Sequence, residues 1–150
     1  ENFVLDLVGF FEDEYKEQVK ELEKHSIAHF YGFQSDPRPF YIEADCVVLP
    51  SYHEGMSNVL LEAAATGRPV ITSNIPGCRE SVENGKSGLL VEVKNKEMLY
   101  DAMKEMLHCS REEREQMGQA GREKMEREFR KEVVVEKTVQ SLREDEKRDF

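Results

Sequence analysis

The segment "DCVVLP" at 45–50 is an almost continuous apolar run. A run this short, without alternation of polar and apolar residues, marks a strand buried on both faces, as in a parallel sheet covered by helices on each side. It is followed by "SNVLLEAAAT" (57–66), a helical stretch with Ser57 or Asn58 as cap, Gly67 as stop and Pro69 beyond. "PVITS" (69–73) then reads as the next strand. Strand, loop, helix, turn and strand in this order make a βαβ unit, and they make 45–50 the expected centre of the sheet.

The same alternation extends to either side. "FVLDLVGF" (3–10) reads as a strand and "EDEYKEQVKELEKH" (12–25) as a helix whose buried stripe is Tyr15, Val19 and Leu22. A short strand at 28–31, a turn at Ser35, Asp36 and Pro37, and a brief helix ending at Ala44 lead into the central run. A short helix at 79–83 and the strand "GLLVEV" (88–93) follow. From Asn95 onward the chain reads as helical, with Met98, Leu99, Ala102, Met103, Met106 and Leu107 on one apolar stripe. Ser110 and Glu113 stand in the spacing of a capping box. The expected class is therefore α/β, a doubly wound, Rossmann-like parallel sheet with helices on both faces and a helical C-terminal segment.

Composition narrows the function. The chain has 150 residues, 21 Lys and Arg against 31 Asp and Glu, and a formal charge of -10. Its thirds carry about -7, -1 and -2, and no basic face forms that would offset repulsion from nucleic-acid phosphates. Nucleic acid is thus not an expected partner. No apolar run reaches the roughly 20 residues needed to cross a bilayer. Cys46, Cys78 and Cys109 are odd in number and widely spaced, which fits a reduced, cytoplasmic setting rather than a disulfide or zinc framework. Cys46 reads as a small core hydrophobe. His25 and His29 lie four apart but lack an evident third ligand, so no metal site is expected. The chain opens on Glu1 and enters a strand at once, and the glycine-rich first turn of a nucleotide fold is absent. The expectation is a piece of a longer protein.

The chemistry concentrates in the middle third, which is nearly neutral and rich in Gly and Pro. Glu54 stands just past the carboxyl end of the 45–50 strand, where open α/β sheets place ligands. Glu62 lies in the second turn of a helix otherwise made of Val59, Leu60, Leu61, Ala63, Ala64 and Ala65. An ionised carboxylate on so apolar a helix must reach water, a ligand or a buried donor. Gly55 permits close backbone approach, and the amides of Met56, Ser57, Asn58 and Val59 offer an anion site at the helix start. Carboxylates for hydroxyls beside amides for phosphate suit a sugar nucleotide.

"PSYHEGMSNVLLEAAATGRPVITSNIPGCRESVENGKSGLLVE" resembles the carboxyl-terminal domain of family 4 (group 1) retaining glycosyltransferases, which have the GT-B fold. The resemblance rests on the Glu54-x7-Glu62 pair, "GRPVI" (67–71), "PGCRE" (76–80), "NGKSGLLV" (84–91) and, upstream, "FYGF" and "AD-VVLPS". It is nearest to enzymes of bacterial capsule, O-antigen and exopolysaccharide assembly. What it implies is a donor-binding domain over residues 1–131 lacking its first strands, with 132–150 as a terminal helix and tail that cross to a missing first domain. Glu54 is the implied catalytic residue, beside the donor sugar hydroxyls. Glu62 is implied to accept from the ribose hydroxyls, and the amides of Gly55, Met56, Ser57 and Asn58 to face the diphosphate. Gly32 and Phe33 fall where the family holds the nucleobase, and His53, Asn74 and Glu80 are further lining candidates. The resemblance favours a UDP-sugar donor, a glycan or lipid-linked acceptor, no cofactor, and a cytoplasmic enzyme peripheral to the inner membrane face. The family's diphosphate-gripping Arg and Lys would lie upstream of Glu1, so the 150-residue piece is expected to be inactive alone.

Two rival classes share the fold: a non-catalytic nucleotide-sugar-binding module and a GT-B sugar-nucleotide epimerase. Presence of both Glu54 and Glu62 disfavours them. A dinucleotide oxidoreductase is disfavoured because no G-x-G-x-x-G follows any strand. Val133, Val134, Val135 and Val139 near the carboxyl end are apolar enough to need a partner, and the "DEKRDF" tail is expected to be mobile.

Overall fold

The computed structural model describes residues 3–10 and 13–146. The start of the expected 12–25 helix at Glu12, and residues 147–150 of the tail, lie outside them. The chain divides into two compact units, Glu1–Glu43 and Ala44–Phe150.

In the first unit, β1 (Leu5–Val8) pairs in parallel with β2 (Ala28–Gly32), Leu5 facing Ala28 and Leu7 facing Phe30. Between them run a single 3-10 turn (Asp13–Tyr15) and α1 (Lys16–Lys24); α2 (Arg38–Glu43) closes the unit. Val19 and Leu22 are half-buried as expected. Tyr15 is exposed instead, because it stands in the 3-10 turn ahead of α1 and off its stripe.

In the second unit, β3 (Val47–Leu49), β4 (Val70–Ser73) and β5 (Gly88–Val91) form a parallel sheet in that order. Here the expected centre is corrected. The apolar run supplies β3, which is half-buried throughout, whereas β4 lies between two neighbours and is buried at all of its residues. The Thr72 hydroxyl donates to the Leu49 carbonyl at 2.8 Å and ties β3 to β4. The expected burial on both faces is also only half met at β3, because the central position is decided by hydrogen-bond pairing, which the pattern of one strand does not contain.

Helices lie on both sides of this sheet. α3 (Asn58–Ala65) packs on β3 and β4, and α5 (Arg111–Glu128) lies along α3 and reaches β5. α4 (Lys96–His108) covers Ile71 and Val91 with Ala102 and Met106, and Cys46, Val48, Leu89, Leu99, Met103 and Met117 pack against that cluster. Burial pushes the Cys46 thiol up to about 12, as suits a small core residue. The ends of the methionine stripe are corrected: Met98 and Leu107 are exposed, because the stripe is wider than the strip of sheet beneath it.

Small residues set the α3–α5 distance. A Cβ at Gly118 would lie 1.9 Å from the Gly67 carbonyl oxygen, and one at Gly121 would touch Ala64 at 3.5 Å. Gly67 ends α3 at φ +78°, a left-handed turn suited to glycine. The capping box of α5 is formed: the Glu113 amide donates to Ser110 Oγ at 3.2 Å and the Ser110 amide to Glu113 Oε2 at 2.7 Å. α6 (Lys131–Glu146) ends the described chain with Val134, Val135, Val139 and Leu142 exposed.

Candidate functional site

β3 ends at Leu49, and the chain turns through 50–57 before α3 begins at Asn58. Pro50 has no amide to donate to a ladder, and the mostly polar residues 51–57, with Gly55 among them, do not continue the strand. This places Glu54 at the carboxyl edge of the sheet, exposed, with Ser51 Oγ donating to Glu54 Oε1 at 3.0 Å. The serine fixes the carboxylate rotamer and leaves its other oxygen open. His53, Gly55 and Met56 are exposed beside it.

Glu62 is exposed on α3, because Leu60, Ala63 and Ala64 take the buried face and leave Asn58, Val59, Glu62 and Ala65 outward. Its carboxylate thus meets the desolvation problem by facing water. An ionised carboxylate is acceptor-only, so Glu54 and Glu62 can each receive ligand hydroxyls.

One detail of the expected anion site is corrected. The Ser57 amide is not open: it donates to the Gly77 carbonyl at 3.0 Å, and Ser57 is only 3% exposed. Ser57 occupies the cap position with extended backbone but makes no side-chain cap bond. The first-turn amides of α3 have no partner within the helix, and those of the exposed Asn58 and Val59 remain the group an anion would meet, since Leu60 is buried. The space at Gly55 is open, and a tight backbone approach within the chain falls at Gly77. A Cβ at Gly55 would meet nothing within 4 Å, whereas one at Gly77 would sit 1.5 Å from the Gly55 carbonyl oxygen.

Gly77 is the residue that sequence reasoning missed. The Pro76-Gly77 dipeptide is a turn signal, but it carries no hint of which distant loop the turn touches. Glu80 belongs to the same turn: its Oε2 accepts the Gly77 amide at 2.7 Å, and Arg79 Nε approaches Oε1 at 3.5 Å. Cys78 is fully buried beneath them and its thiol is raised, first by burial, with Glu54 and Glu80 nearby adding to the effect and a hydrogen bond with Thr72 opposing it. The structure therefore brings Glu54, Gly55, Ser57 and Glu80 together. Asn74 lies at the end of β4 and donates from Nδ2 to Glu92 at 3.2 Å. Lys94 Nζ stands 5.6 Å above the Tyr52 ring, a cation at this edge of the sheet that the sequence did not single out.

Gly32 and Phe33 lie in the first unit. Gly32 ends β2 at φ +66° and its carbonyl accepts the Gly9 amide at 2.9 Å. Phe33 is 64% exposed and stacks on Phe10 with centroids 5.2 Å apart. Among the described residues no group of three or more His, Cys, Asp and Glu is placed to hold a metal ion. Nor is any helix among them long and apolar enough to cross a membrane.

A strand-edge carboxylate, Glu54, and an exposed helical carboxylate, Glu62, flank one short loop at the carboxyl edge of a parallel sheet, where open α/β folds place ligands. The family model "Glycosyl transferases group 1" matches residues 1–124, and the chain belongs to that family. It is 33% identical over 102 residues to the Staphylococcus aureus capsular polysaccharide biosynthesis glycosyltransferase CapM, a match covering 68% of this chain and 27% of that protein. Among solved structures it is similar to a sucrose-phosphate synthase from Thermosynechococcus elongatus, with TM-score 0.79 and 28% identity over 93% of this chain and 38% of that one. Anabaena Alr3699/HepE in complex with UDP shares the fold, with TM-score 0.77 and 21% identity over 93% of this chain and 40% of that one. The chain thus spans well under half the length of these relatives.

Proposed function

We propose that this chain is the donor-binding half of a retaining glycosyltransferase that moves a hexose from a UDP-sugar to a glycan or lipid-linked acceptor in bacterial surface polysaccharide synthesis. The observation that carries it is the Glu54 carboxylate, held by Ser51 at the carboxyl edge of the sheet and one short loop ahead of the open amides of α3. In this reading Glu54 receives hydroxyls of the donor sugar and Glu62 those of the ribose. The amides of Asn58 and Val59 face the diphosphate, with Gly55 and Met56 lining the approach and Ser57 acting through the loop rather than by direct contact. His53, Asn74 and Glu80 border the cleft. Stabilising charge on the leaving diphosphate and positioning the two substrates would supply the rate enhancement. The capsular function named for CapM and the UDP named for the Anabaena complex support the substrate class. Residues 1–131 serve as the donor domain and 132–150 as the segment that meets the acceptor-binding half, in a protein working at the cytoplasmic membrane face.

Calorimetric titration of UDP, GDP and their sugars into the full-length protein tests this. Glu54→Gln is expected to lose discrimination between sugar nucleotide and bare diphosphate, and Glu62→Gln to weaken nucleotide binding itself. Wild-type behaviour in both variants would remove the assignment.

A further inference from the structure

Three contacts, two across to the loop that carries Glu54 and one within the turn itself, fix the turn at 76–80 against that loop. The Ser57 amide donates to the Gly77 carbonyl at 3.0 Å, and the Gly77 amide donates to Glu80 Oε2 at 2.7 Å. One peptide unit after another is thereby chained from a carboxylate to Ser57, the residue just ahead of α3. The third contact is steric. Gly77 has φ +88°, and the space its missing Cβ would fill is taken by the Gly55 carbonyl oxygen at 1.5 Å, the Gly55 carbonyl carbon at 2.6 Å and the Glu54 carbonyl oxygen at 2.7 Å. All of these atoms are backbone, which cannot swing aside as a side chain would. The arrangement is fixed from below as well, since Cys78 and Ser81 are fully buried and Ser81 Oγ donates to the Cys78 carbonyl at 2.6 Å.

We infer that Gly77 and Glu80 are positioning residues: they clamp the Glu54–Ser57 backbone, and through it set where the Glu54 carboxylate stands relative to the first amides of α3. Glu80 acts here through its hydrogen bond to Gly77, and its charge strengthens that bond because an ionised acceptor binds an amide more tightly than a neutral one. This assigns a distinct task to the two acids of the region. Glu54 presents its free oxygen to solvent at the site, while Glu80 turns one oxygen back into its own turn. The inference rests on the reading of Glu54 as the residue that meets the donor sugar.

The test uses the full-length protein with Glu80→Ala, Glu80→Gln, Gly77→Ala and Glu54→Gln. Two readouts are needed: amide exchange at Ser57, and turnover of the best donor from a panel of UDP- and GDP-sugars alongside binding of the bare diphosphate. Loss of one charge-assisted bond should speed Ser57 exchange about tenfold in Glu80→Ala. A loop displaced by about 1 Å should lower kcat/KM about 100-fold with diphosphate binding little changed. Glu80→Gln keeps an acceptor oxygen and should restore most of both. Gly77→Ala should match or exceed Glu80→Ala; if it does not fold, the Glu80 pair decides alone. Unchanged Ser57 exchange in Glu80→Ala overturns the clamp. So does a loss of turnover that comes with equal loss of diphosphate binding and is not rescued by Gln, since that is general unfolding. Wild-type turnover in Glu54→Gln would instead sink the reading of the site, and Ser57 exchange would still decide whether the clamp exists.

Discussion

The two units of this chain have similar ingredients and opposite outcomes. The second buries an entire strand, Val70 to Ser73, and closes it with Leu60, Ala63 and Ala64 on one helix and Ala102 and Met106 on another. The first also has a parallel pair of strands flanked by helices, yet among its described residues only Ala28 and Tyr41 are buried, while Val8, Phe10, Tyr31, Phe33 and Ile42 are exposed. Apolar residues at strand period are therefore not enough. A third strand and helices on both sides convert the second unit into a core, whereas a two-stranded pair has too little area to bury its own side chains.

The contrast can be broken at three points. The largest effect is expected where two backbones meet in the second unit. Gly118→Ala would drive a Cβ to within 1.9 Å of the Gly67 carbonyl oxygen, and a cost of about 3 kcal/mol is expected from overpacking. Urea unfolding with an unchanged midpoint would show that α5 can move away freely, and the close-packed description of this unit would then fail.

A smaller effect is expected at a helix end that depends on local bonds alone. Ser110→Ala removes the hydroxyl that accepts the Glu113 amide, and a loss of about 1 kcal/mol is usual for such a cap. Its partner makes the cap pH-dependent. The Ser110 amide bonded to the Glu113 carboxyl, joined by the Ser110 side chain, holds that carboxyl below its ordinary value of 4.5. A depressed folded value means the contribution is complete above about 4.5 and disappears as the pH falls through the lower folded value. Stability measured against pH should therefore fall less steeply in that acid window for Glu113→Gln than for the native protein. Equal acid limbs would show that the box contributes nothing.

The smallest effect is expected in the first unit. Phe33→Ser removes a ring that is 64% exposed and touches Phe10, itself 84% exposed. Surface changes of this kind usually lie within about 0.5 kcal/mol. A large fall in thermal midpoint would mean that the first unit draws real stability from its aromatic pair.

Much of this fold was legible from local pattern. The alternation of strands and helices, the Gly67 stop, the Ser110–Glu113 cap and the exposed valines of α6 all follow from residues within a few positions of one another. The site was legible in its types: an acid past a strand end, and another on an apolar helix. It was not legible in its contacts, because the Ser57 amide finds its partner at Gly77, and that pairing spans two loops from different strand ends. For the same reason the apolar run at 45–50 announced a strand without revealing that it is only half-buried and that β4, not β3, lies between two neighbours.

What the chain determined by itself, then, is periodicity, capping and the placing of acids beside glycine, since these depend on dihedral preference and side-chain chemistry over a few residues. What the tertiary structure alone decided is which strand is central, which amide of the site stays open and which glycine has no room for a side chain. Those depend on the packing of segments distant in sequence, where a carbonyl oxygen from one loop occupies the space another loop would need.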